Sequence, residues 1–455
     1  MRFRCLAGAA LSAALVGAPG ADAQPARSAS LRPVLLVSID GLKPEYLQHA
    51  DSLGLRLPTL RRLLRESASA RGVRGVLPTL TYPSHTTLVT GRSPAAHGVS
   101  SNTTFDPLLR NQGGWYWYAE DIRVPTLWDR VIQAGGTVGA VHWPVSVGAN
   151  ITWNVPQIWR TGMADDQKLI RALATPGVLD TLEQRVGVPY PDGIDESITA
   201  DEERARFVAR LLEWKRPTLT LAYLTAFDHE QHEAGPWTPK AFAVLERVDA
   251  ALDTIVTAAT RTFGDQLTVA IVSDHGFSAS HSDIHLASAF VDRGFIAVGT
   301  DDRPTEWRAA IWPSGGTAAV VLADSSSALA DSVHALLKQL AADTTTGIAR
   351  ILDRDALRAQ GGYPAAAFVV AFKPGYRLGY RLRGALRTAA SGGMHGYAPD
   401  EPQMRASFLI RGTGITPGTD LGLIDMRDIA PSLATRLGVT LPGAEGQPRF
   451  PPRPR

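Results

Sequence analysis

Residues 32–41 read RPVLLVSIDG. The apolar, β-branched run up to Ile39, closed by Asp40-Gly41, predicts a buried strand with a carboxylate at its C-terminal end. Two later runs repeat the pattern. Residues 218–227 (TLTLAYLTAF) lead into Asp228, and residues 266–273 (QLTVAIVS) lead into Asp274-His275-Gly276. Between and around them, helical spacing at 59–68 (TLRRLLRESA) and an amphipathic stretch at 241–259 alternate with the strands. Such alternation predicts an α/β fold with a mostly parallel sheet. The segment from Gly276 to Gly393 departs from it, with a strand at 317–323, a helix at 327–342 and a strand at 366–372. That order predicts a small α+β insertion, after which a strand at 406–410 and a helix at 426–437 resume the main pattern.

The chain has 455 residues, 44% hydrophobic and 20% charged, with a formal charge of +2. Those values describe a globular protein with room for a large core, and the charge is too small to imply a nucleic-acid polymer or an anionic membrane as partner. Arg2 and Arg4, an apolar stretch and Ala21-Asp22-Ala23 predict a secretory leader cleaved after Ala23. Gly17, Pro19 and Gly20 interrupt that stretch, so no membrane span is expected there. Cleavage would remove Cys5, the single cysteine. A metal site in the remaining chain must then be built from His, Asp and Glu. The expected location is outside the cytoplasm, in a bacterial periplasm or secreted.

Three acids at three strand ends stand where open α/β sheets bind ligands. Asp228 and His232 in FDHEQHEAG are four apart, which on a helix directs both at one ion. Asp274 and His275 are adjacent, and His395 lies in the glycine-flanked GGMHGY. His49, His142, His281 and His334 carry no such pattern and are read as ordinary surface or core residues. Residues 77–91 (LPTLTYPSHTTLVTG) place Thr79 and Thr81 just outside a helix whose first position suits Pro83. A hydroxyl there serves either as a cap or as a nucleophile held against an anion at the helix N-terminus.

Taken in order, SIDG, PTLTYPSHTTLVTG followed by SPAAHG, DHEQH, SDHG and MHGY resemble the nucleotide pyrophosphatase/phosphodiesterase family of the alkaline phosphatase superfamily. The resemblance runs from about Pro33 to Gly443 and is weakest in the insertion. It implies an alkaline-phosphatase-like central sheet between helices and two zinc ions in the crevice. Carried over residue by residue, it assigns Asp228, His232 and His395 to one zinc. Asp40, Asp274, His275 and the Thr81 hydroxyl go to the other. Thr81 then resembles the family nucleophile, and Asn102 in HGVSSNTTFDP resembles the asparagine that donates to a phosphoryl oxygen. Tyr82 matches an aromatic that stacks on a nucleobase, with core packing as its other reading. The aromatic run at 115–118 (WYWY) is read as packing. Ser84 departs from the asparagine common in the family, and TYPSH lacks the Cys/Ser-x-Pro-x-Arg pattern of formylglycine sulfatases.

The implied reaction is a double displacement on a small phosphodiester or phosphoanhydride, nucleotide-like in its leaving group. Thr81 attacks phosphorus in line, and water then hydrolyses the phospho-threonine. The alternatives are a phosphomonoesterase or a choline-phosphodiester lipase of the same superfamily, or a catalytically inactive binding homologue. The reading divides the chain into a leader (1–23), a core in two parts (24–276 and 393–446), an α+β cap (277–392) and a flexible tail (447–455).

Overall fold

In the computed structural model of the chain, the strand Val34–Ile39 is the middle of a seven-stranded sheet. Residues 31–111, 114–159, 165–191 and 194–450 are described; the expected leader with Cys5, and the last five residues of the expected tail, lie outside them. Val34 pairs in parallel with Leu219 on one side and Thr268 on the other. The sheet continues outward through Val138–Val141 and Trp153–Val155, also parallel. Beyond Thr268–Val272 it ends in the antiparallel strands Phe408–Arg411 and Ala68–Ser69. The α/β class is as the sequence predicts.

Side-chain alternation explains why this strand is apolar throughout. Leu35, Val37 and Ile39 face a core shared with Leu211 and Leu252, from the helices Ile198–Lys215 and Pro239–Phe263. Val34 and Leu36 face the opposite core, shared with Leu88 of the helix Thr81–Thr90 and Leu433 of Ile429–Leu437. A parallel strand covered by helices on both faces has no solvated side to make polar.

The insertion carries a four-stranded antiparallel sheet in the order Ala309–Ser314, Thr317–Leu322, Phe368–Phe372, Ile348–Asp353, with the helix Ser327–Ala342. Two of these strands were not read from the sequence. Ala309–Ser314 contains Pro313, which is tolerated because the strand lies at the sheet edge. Ile348–Asp353 is the other edge, only partly buried, so its apolar pattern is weak. The insertion packs against the main sheet's part of the chain through Leu77, which shares a cluster with Trp312, Tyr363 and Val369. Among the described residues no helix is long and apolar enough to cross a membrane.

Two boundaries differ from the sequence reading in ways that matter for the site. The strand expected at 218–227 stops at Leu224, and Asp228 sits in the first turn of the helix Ala226–Ala234. The helix expected to start at Pro83 starts at Thr81, which is therefore its first residue rather than a flanking one. Pro83 fits at the third position because the first helical N–H groups have no intrahelical acceptor.

Candidate functional site

The three strands after which the acids stand are adjacent in the sheet, so Asp40, Asp228 and Asp274 meet at one edge. Two groups of potential ligand atoms form there, Asp40 with Asp274 and His275, and Asp228 with His275 and His395. His275 Nε2 lies 3.3 Å from Asp40 Oδ1 and 3.2 Å from Asp274 Oδ2. His232 joins through Asp228, its Nε2 3.2 Å from Oδ2, with its ring 5.1 Å from that of His395. Thr81 Oγ1 is 3.5 Å from His275 Nε2. All seven expected ligands therefore converge, and His275 touches both groups rather than one.

Hydrogen bonds fix the imidazoles. The Nδ1 atoms of His232, His275 and His395 lie 3.2, 3.1 and 3.1 Å from the carbonyls of Gly393, Gly276 and Thr79. A carbonyl can only accept, so each Nδ1 carries a proton and each Nε2 faces the carboxylates. In His275 and His395 that Nε2 is a lone pair, whereas in His232 burial is outweighed by Asp228 beside it, which raises that ring's pKa. Asp40 Oδ1, Asp228 Oδ1 and Asp274 Oδ2 are buried and accept no hydrogen bond among the described residues. Lone pairs facing lone pairs repel unless a cation stands between them. Among the described residues no Lys or Arg pairs with these acids.

The titration shifts reflect this crowding. Burial, followed by the charges of Asp228 and Asp274, pushes Asp40 well above the carboxylate range. Burial and Asp228 push Asp274 up to about 7. Burial pushes His275 well down and His395 down to about 4, so both are neutral bases. Burial acts on Asp228 in the opposite sense to its imidazole neighbours, led by His232, and the imidazoles hold it low. The donor set of buried carboxylates and imidazoles, without thiolate, fits divalent metal ions of the zinc type.

Local structure explains the motifs. Gly41 has φ +67°, and a Cβ there would lie 2.9 Å from Gln231 Nε2, so the turn that lets its N–H reach Asp274 Oδ1 requires glycine. Gly396, at φ +82°, would set a Cβ 2.0 Å from the Ser314 carbonyl, which fixes the loop behind His395. Thr79 donates to the Tyr397 carbonyl at 2.7 Å and is spent on structure, whereas Thr81 faces the cluster. His85, one turn after Thr81, bonds the Thr81 carbonyl at 2.8 Å through Nδ1. Asn102 accepts the Tyr82 N–H at 2.9 Å through Oδ1, which leaves its N–H2 group as the donor end of the amide.

Tyr82 does not lie as the base-stacking reading expects. It is 1% exposed, packed edge-on against Trp115 at 5.2 Å and enclosed with Val99 and Val145. In this arrangement the ring is enclosed by packing neighbours. Trp115 in turn packs on Trp159 at 4.3 Å. Ser84 is fully buried, and among the described residues its hydroxyl has no partner.

Tyr223 is a site residue that the sequence reading missed. Its hydroxyl donates to Asp40 Oδ2 in a short bond from the neighbouring strand. The signal available was a lone tyrosine in the aliphatic run TLTLAYL. The insertion also returns one cation toward the site: Arg377 donates to the Gly393 carbonyl at 3.3 Å and pairs with Asp283 at 2.8 Å.

An α/β sheet between helices, with buried carboxylates and imidazoles gathered round a helix-borne threonine at its strand ends, defines a protein of the alkaline-phosphatase-like class with a candidate metal centre. The chain belongs to the type I phosphodiesterase / nucleotide pyrophosphatase family, whose model matches residues 34–398. It is 26% identical over 290 residues to an uncharacterized pyrophosphatase/phosphodiesterase of Schizosaccharomyces pombe, covering 62% of this chain and 50% of that protein. It is 25% identical over 268 residues to the Rattus norvegicus ectonucleotide pyrophosphatase/phosphodiesterase family member 3, covering 55% of this chain and 25% of that protein. The match thus spans half or less of these relatives. Among solved structures, the human ectonucleotide pyrophosphatase/phosphodiesterase 5 superposes with a TM-score of 0.66 at 20% identity, over 91% of this chain and 97% of that one. An inactive Thr-to-Ala variant of the murine counterpart, in complex with AMP, gives 0.65 at 20% identity, over 91% and 97%. Phosphonoacetate hydrolase from Sinorhizobium meliloti, in complex with phosphonoformate, gives 0.64 at 20% identity, over 88% and 94%.

Proposed function

We propose that the chain is a two-zinc phosphodiesterase and nucleotide pyrophosphatase that works through a phospho-threonine on Thr81. The observation that carries this reading is the 3.5 Å approach of Thr81 Oγ1 to His275 Nε2 inside the buried ligand cluster. Asp228, His232 and His395 would hold one ion, and Asp40, Asp274, His275 and the Thr81 oxygen the other. When bound, zinc supplies the charge that favours the ionised threonine oxygen and neutralises the phosphoryl group.

The chain's own residues do the rest. Thr81 Oγ forms the new bond to phosphorus as the leaving oxygen departs on the side of Asp228, His232 and His395. Asn102, oriented by the Tyr82 N–H, donates to a phosphoryl oxygen. Because that N–H is already taken and Pro83 has none, the helix Thr81–Thr90 contributes mainly its dipole. Water then attacks the phospho-threonine from the side the leaving group vacated. The AMP complex of the murine relative supports a nucleotide-like substrate. The basic-then-apolar opening of the chain supports export to the periplasm or beyond.

A substrate panel on the purified protein tests the reading. A nitrophenyl nucleotide diester should be turned over in preference to a phenyl monoester and a choline phosphodiester. Acid quenching of a fast substrate should trap phosphate on Thr81. Turnover without any trapped phosphate would replace the covalent step by direct attack of water.

A further inference from the structure

We propose that Asp201 and Arg204 are positioning residues for the metal site on the helix Ala226–Ala234. The inference rests on the two-ion reading above and extends it to a pair outside the ligand set. Thr225 stands at the N-cap of that helix, yet its side chain makes no capping hydrogen bond. The cap comes from elsewhere in the fold. Asp201, in the helix Ile198–Lys215, accepts the Ala226 N–H at 2.8 Å through Oδ2. Its other oxygen accepts from Arg204 at 3.0 Å, and the same guanidinium reaches Thr225 Oγ1 at 3.3 Å and the Asp195 carbonyl at 2.5 Å. Both side chains are fully inaccessible to solvent.

Burying an ion pair is unfavourable compared with an apolar pair of the same shape, so stability is a weak reason for its presence. Its geometry supplies a better one. Ala226 opens the first turn of the helix, Asp228 stands two residues on, and His232 one turn beyond that. A carboxylate on the first N–H fixes where this turn begins and favours the helix dipole. It also explains why the strand ends at Leu224 rather than running to Asp228. With Arg204 clamping Thr225, the backbone that aims Asp228 and His232 is held from both sides of the strand-to-helix turn.

The test separates positioning from mere folding by an internal control. Asp249 caps the helix Pro58–Glu66 in the same manner, accepting from Thr59 and Leu60 at 2.9 and 2.7 Å, and that helix carries no candidate ligand. The full-length protein and its Asp201→Asn, Arg204→Lys and Asp249→Asn variants are titrated with zinc against a chromophoric chelator, and their melting temperatures recorded. Asp201→Asn and Arg204→Lys should weaken one of the two ions about tenfold and leave the other unchanged. Asp249→Asn should lower the melting temperature and leave both affinities as in the wild type. Should Asp201→Asn fail to fold, Arg204→Lys decides alone. Wild-type affinities for both ions in a folded Asp201 or Arg204 variant overturn the proposal, whatever the melting temperature. A wild-type chain that binds no zinc would overturn the two-ion reading beneath it, and the wild-type titration shows that separately.

Discussion

Asn102 Oδ1 accepts the N–H of Tyr82 at 2.9 Å, so the amide is anchored to the residue that directly follows Thr81. The bond settles which end of the amide can serve a ligand. Asn102→Ala should lower kcat by about 10²–10³-fold, the usual effect of removing one preorganised donor to a developing oxyanion. Asn102→Asp keeps an acceptor for the Tyr82 N–H and removes the donor, and should be at least as impaired. Near-wild-type kcat in the alanine variant would reduce Asn102 to a loop anchor.

Thr81→Ala should reduce turnover by more than about 10³-fold while the protein stays folded and retains most of its metal. Thr79→Ala should leave kcat within a few fold, since the Thr79 hydroxyl is committed to the Tyr397 carbonyl. Steady-state rates with circular dichroism check both. The reverse ranking would move the nucleophile by two residues.

Metal removal is expected to abolish activity, and zinc to restore it better than magnesium. Imidazoles beside buried carboxylates suit zinc, whereas magnesium prefers an all-oxygen, largely hydrated shell. Dialysis against a chelator and back-titration measure this. Full activity in the stripped protein would remove the metal centre from the mechanism.

Diesters should be hydrolysed much faster than monoesters. A monoester carries an additional negative charge, which is met by an extra cation where it is the preferred substrate. Residues 141–162 hold no lysine and one arginine, Arg160, which lies outside the described residues. Arg377 does return from the insertion, but it sits behind His232, on the carbonyl bonded by Nδ1, and Asp283 neutralises it. The comparison is kcat/KM for a matched diester and monoester; a monoester preference would contradict this account of the site's charge.

Acid should destabilise the fold from about pH 6.5 downward. Burial pushes His97 down to about 3, and its Nδ1 accepts the Val99 N–H at 3.2 Å, which requires the neutral ring. Below its ordinary pKa of about 6.5, the unfolded chain binds a proton that the folded one refuses. Stability therefore falls as the pH falls through this range toward 3. Melting temperatures from pH 7 to 4 should decline less steeply in His97→Gln than in the wild type. Parallel slopes would assign the acid sensitivity to other groups.

The sequence by itself determined the central strands and the acids and histidines near their ends, because these follow short-range patterns. The short strands Ala68–Ser69, Val138–Val141 and Trp153–Val155 carried no such signal, and the full ligand set came from the family resemblance. An unbroken apolar run marks a strand buried on both faces, and an acid just beyond its end lies near the ligand edge of the sheet. A spacing of four sets Asp228 and His232 on one helix face. These rules need no knowledge of distant residues. The tertiary structure decided what depends on groups far apart in the chain. The Thr79 carbonyl orients His395, Gly393 orients His232, Tyr223 supports Asp40, and Asp201 ends one strand and starts the helix after it. It also enclosed Tyr82 beneath Trp115, where local pattern had allowed a ligand-facing ring. A buried polar group must find a partner wherever packing brings one, and that partner is chosen in three dimensions.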